Sequence, residues 1–129
     1  MAKSIHILTV DDEESLTFFV KLNLQSEKRY DFKVTTANCG EDGLKLAKAL
    51  RPDLILLDVM MPDMSGTEVA EKLQMDARTK NIPIIFMTAI VQKDEVEAKA
   101  GVMGGHEFIA KPVGKEELVC RIEATLNLK

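Results

Sequence analysis

Two unbroken apolar runs constrain this chain more than any other feature: Ile55-Leu56-Leu57 within Asp53–Val59, and Pro-Ile-Ile-Phe-Met at Pro83–Met87. A strand with one face in water alternates apolar and polar residues, so a run without alternation must be covered on both faces. Segments of helical spacing supply the cover. A helix is predicted over Glu13 to about Glu27, with Leu16, Phe19 and Val20 on one face. Others span Glu41–Leu50 (Leu44 and Ala47 inward, stopped by Arg51-Pro52) and Gly66 to about Met75 (Val69 and Leu73 at i, i+4). A fourth runs from about Lys93 to Met103, with Val96, Ala100 and Met103 inward. A fifth runs from Lys115 to about Asn127, with Leu118, Val119, Ile122 and Leu126 inward.

Three further strands complete the alternation. Ile5–Val10 opens it, Phe32–Ala37 alternates as a half-buried or edge strand would, and Glu107–Ala110 is short. Five strands interleaved with five helices predict an α/β fold with a parallel sheet wrapped on both faces. The most apolar strands, one, three and four, belong at its centre, and right-handed crossovers then give the order 2-1-3-4-5. With 129 residues and no internal repeat, low-complexity tract or linker, residues 1–129 are expected to form one domain.

Hydrophobic residues at 46% and charged residues at 29% match a soluble globular chain. The net charge of −4 gives no general attraction to nucleic acid. No apolar stretch can span a bilayer and no leader opens the sequence, so a cytoplasmic location is expected. Cys39 and Cys120 form no C-x-x-C and read as buried or partly buried free thiols. His6 and His106 lack companions at metal-ligand spacing and read as structural or solvated.

In a doubly wound fold, ligands bind beyond the carboxyl ends of the strands. Those ends carry Asp11-Asp12, Asp58, Thr88 and Lys111. Strand two, as an edge, contributes nothing comparable. Three carboxylates crowded on one rim repel each other, and a divalent cation with a taste for hard oxygen resolves the conflict. Thr88 adds a hydroxyl donor and Lys111 a mobile cation. Metal, cation, donor and oxygen nucleophile are the parts that phosphoryl transfer uses, and Asp58 is the natural nucleophile. Each residue also has a plainer reading. Asp11-x-x-Glu14 resembles a helix capping box, Asp58 a turn residue, Thr88 a strand-end hydroxyl, and Lys111 a solvated lysine. Phe108 reads as core, and Met60, Met61 and Met64 as loop and core filler.

The motifs resemble, in order, those of the response-regulator receivers of two-component signalling, whose chemotaxis regulators are single-domain examples. They are V-D-D-E at Val10–Glu13, L-L-D-V-M-M-P-D-M-S-G at Leu56–Gly66, M-T-A at Met87–Ala89 and F-I-A-K-P at Phe108–Pro112. The resemblance covers nearly the whole chain and implies a flavodoxin-like (βα)5 fold. It implies Asp58 as phosphoacceptor, taking its phosphoryl group from a histidine kinase or phosphotransfer protein. Mg²⁺, or Mn²⁺, would be held by Asp12, Asp58 and the Met60 carbonyl, with Asp11 acting mainly through a bound water. Thr88 and Lys111 would hold phosphoryl oxygens, Thr88 and Phe108 would form the switch, and Lys111-Pro112 would be cis. The fourth helix, fifth strand and fifth helix would then read out the state to a downstream protein or output domain, or to a second phosphorylated copy. Such a chain signals rather than turns over substrate, and contacts neither nucleic acid nor membrane directly.

Some positions depart from the family. Gly104-Gly105 stands where Gly-Ala is commoner, and Val113 where an aromatic is common. Apolar Met60 and Ile90, at positions that tune phosphoryl lifetime, predict slow to moderate self-dephosphorylation. Gly101 weakens the fourth helix. Three rivals remain. A haloacid-dehalogenase-type phosphatase would carry D-x-D after strand one, a flavin-phosphate binder a Ser/Thr/Gly-rich first loop, and a phosphorylation-independent interaction module would lack an acidic or Lys position.

Overall fold

The computed structural model describes residues 4–88, 102–103, 106–110 and 114–128. From Ser4 to Thr88 the chain alternates strand and helix as the pattern predicts. The order is β1 (Ser4–Val10), α1 (Glu14–Gln25), β2 (Asp31–Ala37), α2 (Gly40–Leu50), β3 (Leu54–Asp58), α3 (Gly66–Gln74), β4 (Ile84–Thr88), β5 (Val102–Met103), β6 (His106–Ala110) and a last helix, Lys115–Leu126. Five strands run parallel in the spatial order β2-β1-β3-β4-β6, the 2-1-3-4-5 arrangement of a flavodoxin-like fold.

Period two divides the core between the two sheet faces. Leu8, Val10, Ile55, Leu57 and Phe86 pack with Leu44 and Ala47 of α2 and Val69 and Leu73 of α3. Ile7, Leu54, Leu56, Ile85 and Ile109 pack with Val20 and Leu24 of α1 and Leu118, Val119 and Ile122 of the last helix. Every residue of β3 is buried, as its unbroken apolar run requires.

Two expectations need correction. The predicted fourth helix does not reach Met103: Val102 and Met103 form β5, paired antiparallel with Glu107 and His106. Val102 is β-branched, and the intervening Gly104-Gly105 is a sequence permissive of tight reversal. The remainder of that helix and the Gly101 reading lie outside the described residues. On α1, Phe19 is not inward but 56% exposed, beside Phe18 at 61%. The buried stripe is Thr17, Val20 and Leu24. The Thr17 hydroxyl donates to the Glu14 carbonyl and accepts from the Asn38 side chain, which lets a polar residue face inward and rolls the helix accordingly.

Local polar contacts finish the elements. Ser65 caps α3 by accepting from the Glu68 amide, and the buried Thr79 hydroxyl donates to the Leu73 carbonyl at that helix's end. Arg51, in the left-handed region, ends α2 ahead of Pro52. Glu27, Arg29, Tyr30 and Glu123 link the α1–β2 turn to the last helix.

Candidate phosphoryl and metal site

Strand register sets the site. Val10 pairs with Leu57, so the next residues, Asp11 and Asp58, fall in one row at adjacent strand ends. Asp58 pairs with Met87, and Thr88 with Ala110, which brings Thr88 to the same rim. Carboxylate oxygens of Asp11, Asp12 and Asp58 lie within 4.8 Å of one another. Asp11 and Asp58 are buried, while Asp12 faces solvent. At an effective dielectric of ~20, two charges at that spacing repel by on the order of 3 kcal/mol. An all-oxygen donor set with two buried members and an open side fits a small hard cation that keeps several waters.

Asp11 is not the N-cap of α1: that position is Glu13, without a side-chain capping bond. Asp11 Oδ1 instead accepts from the Glu13 amide at 3.0 Å, which turns the chain out of the strand and brings Asp12 to the mouth of the site. Thr88 is 1% exposed and lies on the sheet face that also holds Phe86 and Phe108. The Phe86 and Phe108 rings are 5.0 Å apart and tilted by 31°. Arg121 of the last helix donates to the Phe108 carbonyl at 3.1 Å. Met60 exposes its side chain, Met61 is buried and Met64 half-buried. Lys111, the Lys111-Pro112 bond, Ile90 and Val113 lie outside the described residues, as does the side chain of His106. His6 Nε2 meets the Thr35 hydroxyl at 2.8 Å, a structural contact between strands. Cys39 is half-buried and Cys120 exposed, both as free thiols.

Strand two adds no acid or cation to the rim, but the residue after it braces the rim's backbone. Asn38, directly after β2, donates from its side-chain amide to the Asp11 carbonyl at 2.8 Å. The Gly40 and Glu41 amides, opening α2, donate to the two carboxylate oxygens of Asp63 at 3.1 and 3.2 Å. Led by the Gly40 contact, these bonds hold the Asp63 carboxyl below the usual carboxylate range. Gly66 is required by close approach, because a Cβ there would run into the Asp58 carbonyl oxygen. These are side chain–backbone and steric contacts, which leave no periodic trace. The faint signals were an Asn at a strand end and a Gly after the Asp58 loop.

A cavity of about 330 Å³ lies between α1, the sheet and the last helix. Leu16, Phe19, Val20, Met87 and Leu118 line it, and it reaches Asp11 and Asp58.

The family pattern for the response regulator receiver domain matches residues 7–123. This chain belongs to that family. It is 38% identical over 122 residues to the transcriptional regulatory protein AfsQ1 of Streptomyces coelicolor, covering 94% of this chain and 51% of that protein. It is 36% identical to the hybrid signal transduction histidine kinase D of Dictyostelium discoideum, covering 95% of this chain and 8% of that one. Among solved structures, it superposes on the chemotaxis protein CheY4 of Vibrio cholerae with a TM-score of 0.79 at 29% identity, covering 95% and 98% of the two chains. The chain spans about half the length of the curated transcriptional regulators it matches. The receiver is therefore a unit that relatives join to other segments, and their signalling role is its family context. No helix among the described residues is long and apolar enough to cross a membrane.

Proposed function

We propose that this chain is the phosphoacceptor of a two-component phosphorelay, with Asp58 receiving a phosphoryl group from the phosphohistidine of a sensor histidine kinase or phosphotransfer protein. The observation that carries the reading is the acidic triad: in a receiver-family chain, Asp11, Asp12 and Asp58 converge within 4.8 Å at the carboxyl rim of the sheet. A carboxylate oxygen of Asp58 attacks phosphorus, and the electron pair of the breaking P–N bond stays with the donor imidazole. Burial of Asp58 at the strand end keeps competing water from one side of the nucleophile. Asp11, Asp12, Asp58 and the Met60 carbonyl would hold Mg²⁺ or Mn²⁺, which supplies charge neutralisation for the phosphoryl oxygens when bound. The Thr88 hydroxyl donates to one oxygen, and Lys111 pairs with another. The exposed stripe of Phe18, Phe19 and Leu22 on α1, next to the cavity that reaches Asp58, offers apolar surface for a protein phosphodonor.

The output follows from the same rim. Thr88 moves toward the acquired phosphoryl group, and Phe108 spends more time packed inward on Phe86. This is a shift between two populations rather than a lever. The readout face that the family resemblance implies, which includes β6 and the last helix, then engages a downstream protein, an output domain or a second phosphorylated copy. In this role the chain is a cytoplasmic signalling unit that catalyses only its own phosphorylation and dephosphorylation. Apolar Met60 and Ile90 cannot orient an attacking water by hydrogen bonding, so the acyl phosphate persists well beyond seconds.

Acetyl phosphate tests the reading. With Mg²⁺, intact mass rises by one phosphoryl group; without Mg²⁺ or in Asp58→Asn it does not. Equal labelling of Asp58→Asn removes the assignment, and continuous turnover of a phosphate monoester replaces it with a phosphatase.

A further inference from the structure

We infer that Asp63 and Asn38 are positioning residues for the metal and phosphoryl site, acting as one brace through the turn between β2 and α2. The inference rests on the phosphoacceptor reading above. Asn38 holds one side of the site. Its side-chain amide donates to the Asp11 carbonyl at 2.8 Å and to the Thr17 hydroxyl at 3.2 Å, pinning the exit from β1 to the inner face of α1. Asp63 holds the other side. It lies in the loop that follows Asp58 and carries Met60, and both its oxygens are taken by the Gly40 and Glu41 amides. Only Cys39 separates Asn38 from Gly40, so the turn links the Asp11-Asp12 pair to the Met60 loop over a short span.

Three observations say that this link is built rather than incidental. The first amides of a helix need acceptors, and they usually find them within the first turn. Here the local acceptor, Cys39 Sγ, serves only the Asp42 amide, while the amides of Gly40 and Glu41 reach 23 and 22 residues along the chain. The second is steric. A Cβ at Gly40 would meet Met64 Cβ at 2.9 Å and Val69 Cγ2 at 3.1 Å, so glycine there lets the loop press onto the turn. The third is closure at the loop's far end, where the Gly66 amide donates to the Val59 carbonyl at 2.8 Å. The Met60 segment is thus tied on both sides. A small cation demands near-octahedral oxygen placement, so releasing the Asp63 tie loosens part of the ligand set without removing any ligand.

Calorimetric Mg²⁺ titration of the whole chain tests this, alongside labelling by acetyl phosphate. Asp63→Ala and Asn38→Ala each raise the Mg²⁺ dissociation constant about tenfold, the usual scale for losing a partner that orients a ligand. Asp63→Asn, which keeps one acceptor oxygen, loses less. The double variant is no worse than twice the weaker single, because one brace is broken only once. At saturating Mg²⁺ the maximal labelling rate of each variant stays within about twofold of the parent, a split between affinity and rate that general unfolding does not produce. A dissociation constant within about twofold of the parent in a folded Asp63→Ala protein overturns the inference, as does a fully additive double variant. If circular dichroism shows Asp63→Ala unfolded, Asp63→Asn is judged by the same criterion. A parent chain that neither binds Mg²⁺ nor accepts phosphoryl defeats the phosphoacceptor reading itself; a parent that does both, with unaffected variants, defeats the brace alone.

Discussion

Gly66 shows how much a single atom can matter beside Asp58. A methyl group there points into the Asp58 carbonyl oxygen, so Gly66→Ala must displace either α3 or the end of β3. A cost of about 1–3 kcal/mol is expected, measured as a lower urea midpoint with unchanged slope, together with slower labelling of Asp58. Thr79 makes a second residue-scale case. Its buried hydroxyl satisfies the Leu73 carbonyl, and Thr79→Val should lose about 1–2 kcal/mol by equilibrium unfolding while leaving labelling intact. The two kinds of residue differ in how the sequence displays them. Asp11, Asp12, Asp58 and Thr88 could be read because each follows an apolar run, and a parallel sheet must align such ends. Asn38, Asp63 and Gly66 could not, because one hydrogen bond to a distant backbone or one missing methyl has no period.

At the scale of elements, β3 and β4 were legible because continuous apolarity admits only a doubly covered strand, and both are buried throughout. The facing of α1 was not. Leu16, Phe19 and Val20 satisfy helical spacing as well as Thr17, Val20 and Leu24 do, and the choice between them depends on Asn38 meeting the Thr17 hydroxyl. The α1–β2 turn yields a pH prediction. Glu27 is held at about 2, first by its side-chain bond with Arg29, against an ordinary 4.5. Asp76 is likewise held at about 2 by Arg78, against 3.8. Carboxyls depressed by folding add stability above their unfolded values and lose it as pH falls through the folded ones. Stability should therefore drop between about pH 4.5 and 2, and Glu27→Gln should flatten part of that slope in unfolding curves taken at fixed ionic strength. The hydroxyl of Tyr30, which donates to Glu123 Oε2 at 2.6 Å, belongs to the same corner, and its ionisation is pushed upward chiefly by that bond. Tyr30→Phe should lower the urea midpoint with an unchanged slope.

For the whole molecule, a cation that binds only the folded acidic rim must raise global stability. At a hundredfold excess of Mg²⁺ over its dissociation constant the gain is about 2.7 kcal/mol, or roughly 10 °C in Tm for a chain this size. Chelator should reverse it, and Asp12→Asn should abolish it in calorimetric scans. The rim spans both halves of the core. Asp58 continues the strand face packed by α1 and the last helix, whereas Thr88 shares the opposite face with Phe86 and Phe108. The margins of the sheet have a different consequence. Along β2 the outer strand presents exposed Asp31 and Lys33, and β6 is flanked by the two-residue β5. Among the described residues, an exposed ion pair, Lys33 Nζ to Asp31 Oδ2 at 3.7 Å, on one border and a two-residue strand on the other give a second copy little to zip onto. A strand border beside so apolar a centre would otherwise invite strand addition, so neutralising Asp31 and Lys33 together should hasten self-association, followed by light scattering of the folded chain.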